Sequence, residues 1–153
     1  MNKKKCGIST QVWLKHNDYD INDINKVGQY GNSALMKASR EGCIDVVNAL
    51  IVLGAELNIK NIDGNSALWN ACFGNSYECF HALVEAGIDI NSQNDNGVTA
   101  LMYCASAGKE DFVELLLQNN AKTQLESLDG FKAIDLAVTP KIVKLLKQHA
   151  TLS

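Results

Sequence analysis

The sequence predicts an all-α solenoid of stacked helix-turn-helix units joined by short β-turn or hairpin loops. Three observations carry that expectation. Glycine recurs at Gly31, Gly64, Gly97 and Gly130, a spacing of 33 residues. Its neighbours travel with it, as Gly31-Asn-Ser-Ala-Leu-Met-Lys-Ala38, Gly64-Asn-Ser-Ala-Leu-Trp-Asn-Ala71, Gly97-Val-Thr-Ala-Leu-Met-Tyr-Cys104 and Gly130-Phe-Lys-Ala-Ile-Asp-Leu-Ala137. Behind each of the first three copies comes a second apolar segment at helical spacing. A fixed period of this length is one supersecondary unit, stacked so that each copy buries its apolar face on its neighbours.

Each element follows from local chemistry. Asp63-Gly64, Asn96-Gly97 and Asp129-Gly130 are turn dipeptides, because glycine accepts positive φ without a steric cost. Two residues after the glycine stands Ser33, Ser66 or Thr99, a hydroxyl suited to accept from the free amides of a helix start. The first helix is thin-faced, with small residues at Ala34, Ala38 and Ser39 and at Ala67, Ala71 and Cys72, and ends at Gly42, Gly74 and Gly108. The second helix carries Val46, Val47, Leu50 and Ile51, then Cys79, Phe80, Leu83 and Val84, then Phe112, Val113, Leu116 and Leu117. Those spacings make one apolar stripe. Gly54, Gly87 and Asn120 stand where a left-handed residue closes a helix. Each unit then ends on an apolar residue and an amide: Ile24-Asn25, Leu57-Asn58 and Ile90-Asn91, with Thr123-Gln124 in the fourth.

The ends differ from the middle, as a stack requires. Ser9-Thr-Gln-Val-Trp-Leu-Lys15 reads as a lone second helix acting as an N-terminal cap. Thr139-Pro140 starts the last helix in the order N-cap then proline, with Lys141, Lys144 and Lys147 on its wet side. Lys132 replaces the hydroxyl cap, so the last first-helix is expected to fray.

The turn, short helix, loop and second helix at a 33-residue period resemble the ankyrin-repeat family. Ser33-Ala-Leu-Met36, Ser66-Ala-Leu-Trp69 and Thr99-Ala-Leu-Met102 stand for that family's Thr-Pro-Leu-His element, with proline and histidine replaced in every copy. The resemblance implies a single ankyrin-repeat domain over 1–153, with a partial cap at 7–24, repeats at 25–57, 58–90 and 91–123, and a shortened fourth repeat or C-terminal cap at 124–152. The inter-repeat hydrogen bonds of the family histidine are then either missing or replaced by apolar packing of Met36, Trp69 and Met102. For Trp69, groove contact stays open beside packing. Asn58 and Asn91 follow Leu50 and Leu83 by eight residues, a layout similar to that of asparagines hydroxylated in animal ankyrin repeats; the bland reading is that these amides hold the turn.

The bulk properties bound the function. The formal charge is -3 over 153 residues, which argues against nucleic acid as partner, since phosphate binding needs a basic stripe. Lys3–Lys5 is the sole basic run and reads as a solvated tail. The segment after it is too polar for a signal peptide, and no apolar run approaches the roughly 20 residues that span a bilayer. The expected location is the cytoplasm, with export lacking a standard signal as the alternative. Cys6, Cys43, Cys72, Cys79 and Cys104 follow the repeat and not a metal or disulfide spacing, so reduced core thiols are expected. No nucleophile elbow, phosphate loop or zinc-protease motif is present, and no cofactor or metal site is expected.

What remains is binding. The resemblance places partner contacts on a concave face of turn tips and first helices, at positions beside each anchor glycine and past the paired small residues. Here these are Gln29, Tyr30, Asn32, Arg40 and Glu41; then Ile62, Asp63, Asn65, Trp69 and Phe73; then Asp95, Asn96, Val98 and Ser106; then Leu128, Asp129 and Phe131. Apolar residues gathered at positions free of packing duty mark an interaction surface. The expectation is a monomeric protein-protein interaction module without catalysis. The alternatives are an exported effector or regulatory subunit with one dedicated target, and a structural spacer or self-associating stack.

Overall fold

A computed structural model describes residues 7–150, so the Lys3–Lys5 run and Cys6 lie outside the described residues. Two compact units, Met1–Asp89 and Ile90–Ser153, make up the chain. Among the described residues the structure is helical, and its one β-type pairing is an isolated bridge between Asp20 and Asp23.

The first unit contains α1 (Thr10–His16), a 3₁₀ turn (Gln29–Gly31), α2 (Ala34–Glu41), α3 (Ile44–Val52), α4 (Ala67–Phe73) and α5 (Tyr77–Ala86). Helix α2 packs on α4, α3 on α5, and α1 on α3. Ser9 Oγ accepts from the Val12 N–H at 3.2 Å and so caps α1, whose Trp13 and Leu14 are fully buried. Ser33 caps α2 through the Met36 N–H. Ser66 is the N-cap of α4 without a capping hydrogen bond from its side chain, unlike its sister hydroxyls. The apolar stripes point inward as the spacing requires: Val46, Val47, Leu50, Cys79, Phe80 and Leu83 are all at 0% exposure.

Small residues on the first helices let their backbones approach. Ala34, Ala38, Ala67 and Ala71 are buried, and the closest approach comes at Gly74. Its φ is −80°, which any residue adopts, so it is not the left-handed terminator that Gly42 is at φ 74°. Gly74 is required by space instead: a Cβ there would overlap the Arg40 backbone carbonyl. The left-handed role passes to Asn75, at φ 57°.

The second unit contains α6 (Ala100–Ser106), α7 (Glu110–Gln118), α8 (Ala133–Leu136) and α9 (Pro140–Ala150). Helix α6 packs on α7 and α8, and α9 on α7 and α8. Thr99 Oγ1 caps α6 through the Met102 N–H, and Asn120 closes α7 at φ 67°. The unhydroxylated start at Lys132 gives a helix of only four residues; the Asp135 carboxylate accepts from the Lys132 N–H at 2.8 Å and takes up one free amide. Thr139 caps α9 through the Ile142 N–H and donates to Glu110 Oε2 at 2.7 Å.

The closing asparagines accept hydrogen bonds from the following repeat. Asn25 Oδ1 accepts from the Glu56 N–H at 2.8 Å, Asn58 Oδ1 from the Asp89 N–H at 2.9 Å, and Asn91 Oδ1 from the Lys122 N–H at 2.8 Å. Each bond spans 31 residues and joins the end of one repeat to the end of the next. Met36 and Met102 are buried to 1% and 0%, as apolar replacements for histidine would be, while Trp69 is only half-buried. Cys43, Cys72, Cys79 and Cys104 are all buried as thiols.

Candidate interaction surface

Turn geometry decides which side chains reach solvent. In the tip at 61–65, Asn61 Oδ1 accepts from the N–H groups of both Asp63 and Asn65 at 3.0 Å. In the tip at 94–98, Asn94 Oδ1 takes the Asn96 and Val98 N–H groups at 2.9 Å. One amide side chain thus organises the whole turn, and only its glycine needs positive φ. In the first tip the corresponding residue is Gly28, which has no side chain to offer. The Asn32 N–H goes to the Gln29 carbonyl instead, and Tyr30 takes a left-handed conformation at φ 59°, ψ 19°. A left-handed conformation in a non-glycine residue costs roughly 1–2 kcal/mol.

Neighbouring tips are laddered by backbone. The Ile62 N–H donates to the Tyr30 carbonyl at 3.0 Å in the first unit, and the Leu128 N–H to the Asn96 carbonyl at 2.9 Å in the second. These bonds fix the tips while their side chains remain outside. Tyr30 is 62% exposed, Ile62 63%, Leu128 77% and Phe131 47%.

On the first helices, Arg40 and Phe73 occupy equivalent positions of α2 and α4. The Arg40 Cζ lies 4.3 Å from the Phe73 ring centroid, and Trp69 stacks on Phe73 with centroids 5.3 Å apart and planes 14° apart. Trp69 is therefore half-buried within an aromatic pair on its own helix. Arg40, Gln29, Asp63 and Phe73 are exposed, and Asn32 and Glu41 half-buried. Asn65 departs from the expectation of a free position. It is 7% exposed, because its backbone completes the Asn61 turn. Asn32 is also committed, its carbonyl accepting from Tyr19 Oη at 2.8 Å. Burial, and secondarily the Glu41 carboxylate, raises the Tyr19 pKa above its ordinary value, so the phenol stays a donor.

A groove of about 710 Å³ runs across the first unit between the Tyr30 tip and α2. It is lined by Tyr19, Tyr30, Lys37, Arg40, Glu41 and Asn70, among others. It gathers Gln29, Tyr30, Asn32, Arg40 and Glu41 of the expected contacts. It also adds Lys37, which the repeat-based reading missed. The signal was there: Lys37 is three residues before Arg40, and residues so spaced share a helix face. In the second unit, Asp95, Asn96 and Asp129 are exposed on the tips and Val98 is half-buried. Ser106 is exposed on α6, its hydroxyl donating to the Tyr103 carbonyl at 2.8 Å.

The strain at Tyr30 gives a prediction. Asparagine tolerates the left-handed region, and little packing is lost from a ring this exposed. Tyr30→Asn is expected to raise stability by about 1 kcal/mol. Denaturant unfolding checks this; a drop in midpoint would show that the ring packs and is not merely displayed.

A family model described as ankyrin repeats, in three copies, matches residues 8–94 and 89–152. No curated protein matches the chain. No helix among the described residues is long and apolar enough to cross a membrane.

Proposed function

Because this chain belongs to the ankyrin-repeat family, whose repeats are in general protein-protein interaction modules, we propose that it binds a protein partner through its turn tips and first helices. One observation carries the reading: Tyr30, Ile62 and Phe73 stand exposed in the first unit at positions that the repeat does not use for its core. Exposed aromatic residues are the side chains that dominate interface energetics. The tips are held by backbone and amide bonds, so little ordering would accompany binding. The positions proposed for contact are Gln29, Tyr30, Arg40, Glu41, Ile62, Asp63, Trp69 and Phe73, with Asp95, Asn96, Val98, Ser106, Leu128, Asp129 and Phe131 in the second unit. Asn32 and Asn65 contribute mainly by shaping the tips. The reading assigns no chemistry to the protein. The buried thiols support a reducing compartment such as the cytoplasm.

The test is a comparison of wild type with Tyr30→Ala/Phe73→Ala, each used to capture partners from lysate of the source organism. Once a partner is in hand, the double variant is expected to bind it about 30-fold or more weakly, one anchor alone being worth roughly 2 kcal/mol. The helical spectrum is expected to be unchanged. Equal binding by both proteins would remove the first-unit surface from consideration.

A second reading, self-association, is favoured by one observation. Leu128 and Phe131 are exposed at the last tip, and nothing lies within 4 Å of where a Gly130 Cβ would stand. Light scattering at several concentrations decides it: a rising mass supports association, and a constant single-chain mass excludes it.

A further inference from the structure

Arg40 is the one arginine of the sequence, and its placement is specific. The guanidinium rests 4.3 Å from the Phe73 ring centroid, and Phe73 is itself stacked on Trp69. Among the described residues Arg40 has no side-chain hydrogen bond and no ion pair. Stacking an arginine on a ring fixes its plane yet leaves its in-plane N–H fork open, and that fork matches a carboxylate with two parallel bonds. Lys37, on the same helix face, adds a second positive charge to the groove.

The groove's acids do not cancel this. Glu41 Oε1 lies 4.0 Å from Cys43 Sγ, and the Glu41 carboxylate also acts on the Tyr19 phenol. Asp18 enters from the loop after α1. Negative charge therefore borders the cap side of the groove, and the side at Lys37 and Arg40 is positive.

Resting on the interaction reading above, we propose that the first unit takes an acidic peptide segment, with an Asp or Glu side-chain carboxylate in the Arg40 fork and apolar neighbours against Tyr30 and Phe73. A side-chain carboxylate is favoured over a chain terminus. Capture of a terminus uses converging backbone N–H groups. Here α2 and α4 both end beside Arg40, so the nearby backbone presents carbonyls, and only a long side chain carries donors past them.

The experiment uses the whole chain. Short random peptides, displayed with their C-termini fused so that no free terminus is offered, are selected on wild type, Arg40→Met and Tyr30→Ala/Phe73→Ala. Methionine keeps an unbranched apolar side chain over Phe73 and removes the fork. Peptides enriched on wild type are expected to share an Asp or Glu. As synthetic peptides they should bind Arg40→Met about 10- to 100-fold more weakly, the range for hydrogen bonds to charged groups. Replacing that acid by its amide should cost a similar factor on wild type and almost nothing on Arg40→Met. Arg40→Lys, which keeps charge without the fork, should fall between. Thermal melts establish that each variant is folded. Enrichment without a shared acid, no enrichment, or acidic peptides indifferent to Arg40→Met would each overturn the proposal. If acid-free peptides lose binding to Tyr30→Ala/Phe73→Ala, the carboxylate alone is wrong and the interaction reading survives. If those peptides ignore that variant too, both fail together.

Discussion

Gly97→Ala is expected to lower stability by about 2–4 kcal/mol, while Gly130→Ala at the equivalent position costs about 1–2 kcal/mol. Both glycines adopt left-handed backbone, at φ 74° and 83°, so an alanine suffers similar conformational strain at either. The difference lies in what passes overhead. A Cβ on Gly97 would stand 2.8 Å from the Leu128 nitrogen and 3.1 Å from the Ser127 carbonyl carbon, because the next tip is hydrogen-bonded directly across it. Backbone held by such a bond cannot yield as a flexible side chain would. Gly130 has nothing within 4 Å and shows the cost of φ alone. Denaturant midpoints at unchanged slope measure both costs. Equal losses at the two sites would mean that the period of glycines reflects turn conformation only, and not the close passage of one tip over another.

That comparison shows why so much of the fold was legible. A glycine demanded by its positive φ, and at Gly31 and Gly97 by proximity as well, recurs at the period of the stack. So do the hydroxyls at Ser33 and Thr99 and the closing asparagines, because each satisfies a backbone group that every repeat exposes. The inward residues follow from helical spacing alone. Features private to one repeat were harder to read. Gly74 looks like a helix terminator in sequence, yet it is needed for the approach of Arg40 on another helix. Tyr30 looks like any exposed aromatic, and its left-handed backbone follows from the missing side chain at Gly28, two residues away.

The candidate surface divides along the same line. Positions outside the repeat's packing pattern can be listed from the period, and Tyr30, Ile62 and Phe73 are indeed exposed. The pattern cannot say which of them meet. The layering of Arg40 and Trp69 on Phe73 depends on side chains from two helices, and the burial of Asn65 on an amide four residues earlier. Lys37 is half-buried, whereas its sister position holds the buried Asn70. A repeat alignment treats the two alike although they differ in exposure.

Trp13→Ala is expected to cost about 3–5 kcal/mol, the range for removing a fully buried large aromatic side chain. Trp13 is 1% exposed on α1, which packs on α3. Its ring lies parallel to Tyr19 at 6.2 Å, and Tyr19 Oη donates to the Asn32 carbonyl beside the strained Tyr30 tip. Helix α1 therefore reaches the candidate surface as well as the core, and its loss is expected to weaken the proposed partner binding along with stability. Trp13→Phe separates packing from polarity. Trp13 Nε1 has no hydrogen-bond partner among the described residues, and a buried unsatisfied donor costs about 1–3 kcal/mol. Phenylalanine removes that donor and keeps an aromatic ring, so the gain offsets part of the lost volume. Its stability is expected within about 1 kcal/mol of wild type, set by these two opposed terms. Urea unfolding of the three proteins provides the check. A loss below about 1 kcal/mol for Trp13→Ala would show that α1 is not the cap of this stack, because no fully buried tryptophan is removed so cheaply.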